Sequence, residues 1–266
     1  MRVLVLGSRG VIGKALVSQL QIKGHDVTEW DCRIDVKHDL SNSSNNHGLQ
    51  NVISQSDFVF FLAFDIGGSK FITNPTVDFL SRNSVIMANT FNSLTNKKFI
   101  FASSTMSNMG VPYGTLKLVG QHYTKLLNGV SARFWNVYGM EEYGERSHVI
   151  TDFIHQYKST GKISMLSSGS EYRQFLHARD CAECLEVMMC NFSELPDIVD
   201  VTSFEWTSIR AVAELICQEI SGKPDGIDSH TEMNEPGEYI LKLWRPSISL
   251  TEGIAELLNL SEKVNK

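Results

Sequence analysis

The feature that most constrains this chain stands at its start. A β-rich run, Val3 to Leu6, leads directly into Gly7-Ser-Arg-Gly10-Val-Ile-Gly13. Glycines at GxxGxxG spacing between a strand and a helix meet separate needs. The first permits a tight turn, the second removes a side chain where a pyrophosphate must come close, and the third lets helix and strand pack together. Gly7, Arg9, Gly10, Val11, Ile12 and Gly13 are therefore the predicted cofactor-binding set of this turn, with backbone N–H groups at the helix start facing the phosphates. Ala15 to Gln21 reads as the helix and His25 to Trp30 as the next strand, completing a strand, turn, helix, strand unit. Asp31 ends that second strand, eighteen residues beyond Gly13. A carboxylate there accepts hydrogen bonds from an adenosine ribose and repels a 2′-phosphate, which favours NAD over NADP. Arg33 is the counterweight, since a guanidinium binds a 2′-phosphate, and NADP stays open.

The rest of the first half continues the alternation. Asp39 to Gly48 is rich in Ser and Asn and reads as a loop. Phe58 to Phe64 is almost continuously apolar, as a central parallel strand covered on both faces should be. Ser81 to Leu94 has helical spacing, Lys98 to Ala102 reads as a strand, Tyr113 to Leu127 as a helix and Val130 to Phe134 as a strand. The fold class is α/β, a Rossmann-type doubly wound parallel sheet over residues 1–135, with the sheet completed by later segments including about 175–205. Residues 136–266 read mainly as a smaller mixed α/β C-terminal substrate-binding region. Helices are predicted there at Val149 to Tyr157, Asp180 to Asn191, Ser208 to Ile220 and Leu250 to Leu260, a short extended piece at Phe175 to His177, a strand at Ile198 to Val201 and a loop at Gly222 to Asp228.

Composition narrows the partners. With 266 residues and 42% hydrophobic content the chain has material for a core, which excludes disorder as its class. A net charge of −6 without long runs of either sign argues against nucleic acid or an anionic membrane as partner. It leaves room for a phosphorylated small molecule held by a few arginines. No stretch has the length of a membrane span or the layout of a secretory leader, so the expected compartment is the cytoplasm. Cys181 and Cys184 form a CxxC, but no second pair or histidine cluster completes a metal site, and none is expected. Four of the cysteines, Cys181, Cys184, Cys190 and Cys217, are expected as buried thiols in apolar helical stretches.

Phe101-Ala-Ser103-Ser104-Thr105 ends a strand, and Pro112-Tyr113-Gly-Thr-Leu-Lys117 opens the following helix. With the glycine turn, these pieces resemble the extended short-chain dehydrogenase/reductase family, in its nucleotide-sugar epimerase and dehydratase branch. The similarity runs on in family order through Arg133-Phe-Trp-Asn136-Val-Tyr-Gly139, Glu171-Tyr-Arg173-Gln-Phe-Leu-His177-Ala-Arg-Asp180 and Trp244-Arg245-Pro-Ser-Ile-Ser-Leu, across nearly the whole chain. Tyr113 and Lys117 are four apart and share a helix face. An ammonium held there is expected to lower the phenol pKa from about 10 towards neutrality. The resemblance implies that Tyr113 is the general acid/base, that Lys117 also meets the nicotinamide ribose, and that Ser104 holds the reacting hydroxyl or carbonyl, with adjacent Thr105 as its chemically equivalent rival. It places Leu62-Ala63-Phe64 along the cofactor, Asp39-Leu40 near adenine, and Asn136 and Arg173 on the substrate's sugar or phosphates. Arg245 either reaches the same diphosphate or marks a surface turn; Arg133 reads as structural and His177 as a core histidine. A homodimer through the helix beginning at Tyr113 is implied, with Leu116, Val119 and Tyr123 either at that interface or in the protein's own core.

Two departures from the family pattern bear on the reaction. Only eight residues separate Ser104 from Tyr113, where family members carry a longer excursion that helps form the sugar pocket. The Asp-Glu pair that dehydratases place after the catalytic hydroxyl is replaced by Thr105 and Met106, so neither an acid nor a base for removing water stands there. The first expectation is thus an NAD-dependent epimerase of a nucleotide-activated sugar, working by transient oxidation to a keto-sugar. The alternatives are an NAD(P)H-dependent keto-sugar reductase, a redox enzyme of the family acting on a non-nucleotide substrate, and a non-catalytic NAD-sensing interaction protein.

Overall fold

The computed structural model describes residues 1–72, 75–222 and 234–263. The first half alternates through β1 (Arg2–Leu6), α1 (Val11–Ile22), β2 (Asp26–Trp30), α2 (Asn46–Gln55), β3 (Phe58–Phe61), α3 (Ser69–Ile72), α4 (Val77–Phe91), β4 (Phe99–Ser104), α5 (Pro112–Leu126) and β5 (Val130–Phe134). The second half runs β6 (Asn136–Tyr138), α6 (Val149–Thr160), β7 (Ile163–Ser164), β8 (Tyr172–His177), α7 (Ala178–Cys190), β9 (Ile198–Val201), β10 (Trp206–Ser208), α8 (Ile209–Ile216), β11 (Ile220–Ser221) and α9 (Leu250–Lys263).

The main sheet has the order β2-β1-β3-β4-β5-β9, every neighbouring pair parallel. From β1 the chain goes to one side for β2 and then crosses to the other for β3, so a crevice opens between the C-terminal ends of β1 and β3. Alternation along β1 feeds two cores: Val3 and Val5 face one with α1 and α7, Leu4 and Leu6 face the other with α2 and α4. The first core joins residues from both halves of the chain, because α7 packs against α1 and β9 closes the sheet beside β5. A smaller sheet, β10-β8-β6, and the pair β11-β7 rest on a third core with α6, α8 and α9.

Two buried carboxylates tie the C-terminal segments to this frame. Asp200 on β9 accepts from Arg133 Nε (2.6 Å), Arg133 Nη2 (2.5 Å), Trp135 Nε1 (2.9 Å) and the Gly237 backbone N–H (2.8 Å). Asp180 on α7 accepts from Ser247 N (3.0 Å), Ser247 Oγ (2.9 Å) and Ile248 N (2.8 Å). His177 is buried, its Nδ1 accepting from Arg179 N (3.2 Å) at the start of α7.

Several expectations change. The stretch expected as a loop from Asp39 to Gly48 holds a 3₁₀ turn at Ser43–Asn45 and the first turn of α2, a helix masked in sequence by its polar start and anchored only at Leu49 and Ile53. The apolar run from Phe58 stops being strand at Phe61, and Leu62 to Phe64 continue as an irregular segment beside the crevice. The helix expected through Ile220 ends at Ile216, and Ile220 instead pairs with Ile163. Beyond Gly222, the loop expected to Asp228 lies outside the described residues. Cys190, expected to be buried, is exposed at the end of α7, whereas Cys181, Cys184 and Cys217 are buried. Among the described residues no helix is long and apolar enough to cross a membrane.

Candidate active site

At the crevice, the three glycines answer to different demands. Gly7 has φ +88°, and a Cβ there would come within 2.7 Å of the Ala63 backbone N. A Cβ on Gly13 would collide with the Gly7 carbonyl. Gly10 differs: its φ is −69° and a Cβ would find only the Gly7 carbonyl, at an ordinary 3.5 Å. The fold itself thus requires the outer two, while the absent side chain at Gly10 keeps space clear above the start of α1. That start has no side-chain cap and no acidic residue in its first turn. Among the described residues the N–H groups of Val11, Ile12 and Gly13 have no backbone acceptor. Free donors, clear space and the positive end of a helix fit a dinucleotide pyrophosphate.

The residues expected at the adenosine end, Asp31 and Arg33 among them, follow the tip of β2. Asp31 is buried and accepts from Arg9 N (2.9 Å), Arg33 N (2.9 Å) and Arg33 Nε (3.2 Å). Burial alone would raise its pKa; the hydrogen bonds from Arg33 and Arg9 outweigh that and hold it below the ordinary value. The Arg9 guanidinium pairs with Glu29 at 3.3 Å, and both arginine side chains are largely exposed. Asp39 accepts from Ser41 and lies 3.3 Å from Arg82 of α4. Leu40 is buried in the second core, its carbonyl accepting from Asn89 Nδ2 (2.8 Å).

Ser104 ends β4, and its Oγ accepts from Met106 N (3.2 Å), which opens the short turn leading to α5. Gly114 is needed because a Cβ there would collide with the Met106 carbonyl, so the shortened loop packs directly on the helix. The structure brings Ser104, Tyr113 and Lys117 together and buries all three. Of the two hydroxyl residues, Ser104 and not Thr105 is the one that acts on the Tyr113 phenol, opposing the effect of burial. Lys117 Nζ donates to the Ala102 carbonyl (2.7 Å) and stands 3.6 Å from the centre of the Phe64 ring. The pKa expectation for Tyr113 is overturned here. Burial pushes the phenol above its ordinary value, offset only in part by Ser104, and burial pulls the lysine down to about 7. The Lys117 Nζ, directed to a carbonyl and the Phe64 ring and 5.6 Å from the centre of the Tyr113 ring, does not offset the effect of burial on the phenol.

On the small sheet β6 runs parallel to β8 with Asn136 beside Phe175, so Asn136 and Arg173 share one face of neighbouring strands. Arg173 is half-buried, its Nη1 donating to the Tyr172 carbonyl (2.7 Å); burial lowers its pKa, with Glu171 acting against that. Arg245 stands on the surface segment that follows the 3₁₀ turn Glu238–Lys242. Its neighbour Trp244 is buried in the first core and donates to Glu183 (3.1 Å), leaving Arg245 exposed in a shallow groove with Tyr239 and Lys242. Its Trp-Arg-Pro setting is governed by the tryptophan.

Sequence reasoning missed three contributors. Buried Asn83 of α4 clamps the backbone next to Phe64: its Oδ1 accepts from Asp65 N (2.7 Å) and its Nδ2 donates to Asp65 O (3.0 Å). Glu141 accepts from His148 N (2.8 Å) and lies 2.7 Å from His148 Nδ1, which leaves Nε2 turned away from the carboxylate. Burial acts to raise the Glu141 pKa, but hydrogen bonds from His148 hold it low. The loop carrying this pair is docked beside the crevice: Gly68 N donates to the Arg146 carbonyl (2.9 Å), and Arg146 pairs with Asp65. No spacing rule joins these residues, which meet only through the packing of two loops.

Together the switch-point crevice, the glycine turn and the buried Ser-Tyr-Lys cluster mark a dinucleotide-dependent enzyme with a Rossmann-type fold. Residues 3–201 match the NAD dependent epimerase/dehydratase family, and the chain belongs to that family. It is 24% identical to GDP-L-fucose synthase 1 of Arabidopsis thaliana, covering 96% of this chain and 91% of that protein. A putative UDP-glucose 4-epimerase of Methanocaldococcus jannaschii is 25% identical, with 99% of each chain covered. The fold superposes on a GDP-6-OMe-4-keto-L-xylo-heptose reductase of C. jejuni with a TM-score of 0.85 at 18% identity, over 99% of this chain and 98% of that one.

Proposed function

We propose that this protein reduces the keto group of a nucleotide-activated sugar, with a reduced NADP as cofactor. The observation that carries this reading is the burial of the Tyr113 phenol together with Ser104, which favours the protonated form of the phenol. A carbonyl oxygen set between Ser104 and Tyr113 is polarised by two hydroxyl donors, and Tyr113 supplies its proton to that oxygen as it becomes a hydroxyl. The carbonyl carbon would receive its hydrogen and electron pair from a reduced nicotinamide when one is bound. Gly7, Gly10, Val11, Ile12 and Gly13 would hold its pyrophosphate, the backbone of Leu62, Ala63 and Phe64 would lie along it, and Lys117 would hold its ribose. Arg9 and Arg33 favour NADP: both guanidiniums are exposed beside the ribose position, and Asp31 keeps two backbone donors if Arg33 turns to a phosphate. Asn136 and Arg173 are the proposed contacts to the sugar and diphosphate, a chemistry suggested by the GDP- and UDP-sugar names of the similar proteins.

The second reading is the NAD-dependent epimerase, favoured by the burial of a carboxylate at Asp31. Oxidation of NADPH and NADH with GDP- and UDP-4-keto-sugars, followed by absorbance, tests the first reading, with Tyr113→Phe expected to lose about two to four orders of magnitude in turnover. Stoichiometric NAD released from the denatured protein, with no net cofactor oxidation, would favour epimerisation. A homodimer through α5 belongs to the same proposal. Leu116 packs towards the second core and Tyr123 stacks on Phe91 at 4.9 Å, but Leu118, Val119 and Leu126 stay exposed on one helix. Light scattering is expected to give twice the chain mass.

A further inference from the structure

We propose that the Phe64 side chain is a removable cover over Lys117, filling the place from which this lysine reaches a cofactor, so that dinucleotide binding must turn the ring aside. The inference rests on the cofactor site proposed above. An ammonium has three donors, and the Ala102 carbonyl takes one. The Phe64 ring centre stands 3.6 Å from Nζ, while the rings of Phe101 and Tyr113 stand further off, at 5.0 and 5.6 Å. The same Phe64 ring meets Tyr113 edge to face at 5.9 Å, so one side chain screens both the lysine and the phenol. Together with the Ala102 carbonyl and the rings of Phe101 and Tyr113, the Phe64 ring surrounds Lys117, which is only 3% exposed.

The backbone around Phe64 is fixed on both sides. Ala63 lies against Gly7 so closely that a single Cβ would not fit, and Asp65 is clamped through its N–H and carbonyl by Asn83. Release of the lysine therefore has to come from rotation of the Phe64 side chain about its own bonds, a motion available because the ring is only half-buried. The cover exchanges a desolvated cation–π contact for hydrogen bonds to ribose hydroxyls, and its cost appears as weakened binding of any ligand that extends past the pyrophosphate.

Calorimetric titration of ADP, which ends at the pyrophosphate, and of NADPH, which continues to the second ribose, separates the two ideas. Phe64→Ala is expected to bind NADPH about tenfold more tightly than the unaltered protein while ADP affinity stays the same. Phe64→Leu, which keeps bulk and loses the π face, should fall between them. Retained ADP binding also shows that the variant is folded, and if Phe64→Ala does not fold, the Phe64→Leu ratio of the two affinities decides. An unchanged or reduced NADPH-to-ADP ratio overturns the cover and leaves the cofactor site standing. Failure of the unaltered protein to bind either ligand overturns both.

Discussion

Lys117 ties the stability of the protein to pH. Burial brings its pKa from 10.5 to about 7, so between those values the unfolded chain holds the proton and the folded chain releases it. Stability should therefore rise as pH goes from about 7 towards 10 and be flat below, where both states are charged. Lys117→Met removes the titrating group and is expected to raise stability near pH 6.5 by on the order of a few kcal/mol, with the gain shrinking towards pH 9.5. Urea unfolding of both proteins at several pH values checks this; parallel pH profiles would show that Lys117 is not the group responsible. The pairing of Tyr113 with Lys117 was legible in their spacing, and Ser104, with Thr105 as its rival, through the family resemblance. The direction of their pKa shifts was not, because it depends on the Ala102 carbonyl and the Phe64 ring, which arrive from β4 and from the segment after β3.

The glycine turn shows how one motif mixes folding and binding requirements. Gly13→Ala puts a methyl group into the Gly7 carbonyl and is expected to destabilise the protein by several kcal/mol or prevent folding. Gly10→Ala meets no such obstacle and should keep the melting temperature within a few degrees while losing most dinucleotide affinity. Thermal melts paired with NADPH titration distinguish the two; equal loss of stability would mean that Gly10 is needed by the fold as well. Most elements of the sheet could be read from sequence because burial on both faces forces continuous apolar runs such as Phe58 to Phe61. Helix α2 could not, since its first turn is polar and its packing rests on Leu49 and Ile53. Glu141 and His148 escaped for a related reason, lying on a loop whose position is set by Gly68 and Arg146 rather than by periodicity.

At the scale of the molecule, the second half of the chain is not an appendage to the first. Arg133→Ala would leave the Asp200 carboxylate, 3% exposed, with its neutral donors alone. The expected loss is about 3 kcal/mol, measurable by urea unfolding, and a loss below about 1 kcal/mol would show that Trp135 and Gly237 suffice. The packing of α1 against α7 and of β5 against β9 carries a consequence for synthesis. While the chain is being made, Leu16, Val17 and Leu20 of α1 emerge long before Cys181, Leu185 and Met188 of α7, which share their core. A nascent chain of about 135 residues would display that apolar helix face and an open strand edge at β5, a surface for holdase chaperones on the ribosome. The first half of the chain then completes its sheet and first core only once the strand ending at Val201 has left the exit tunnel.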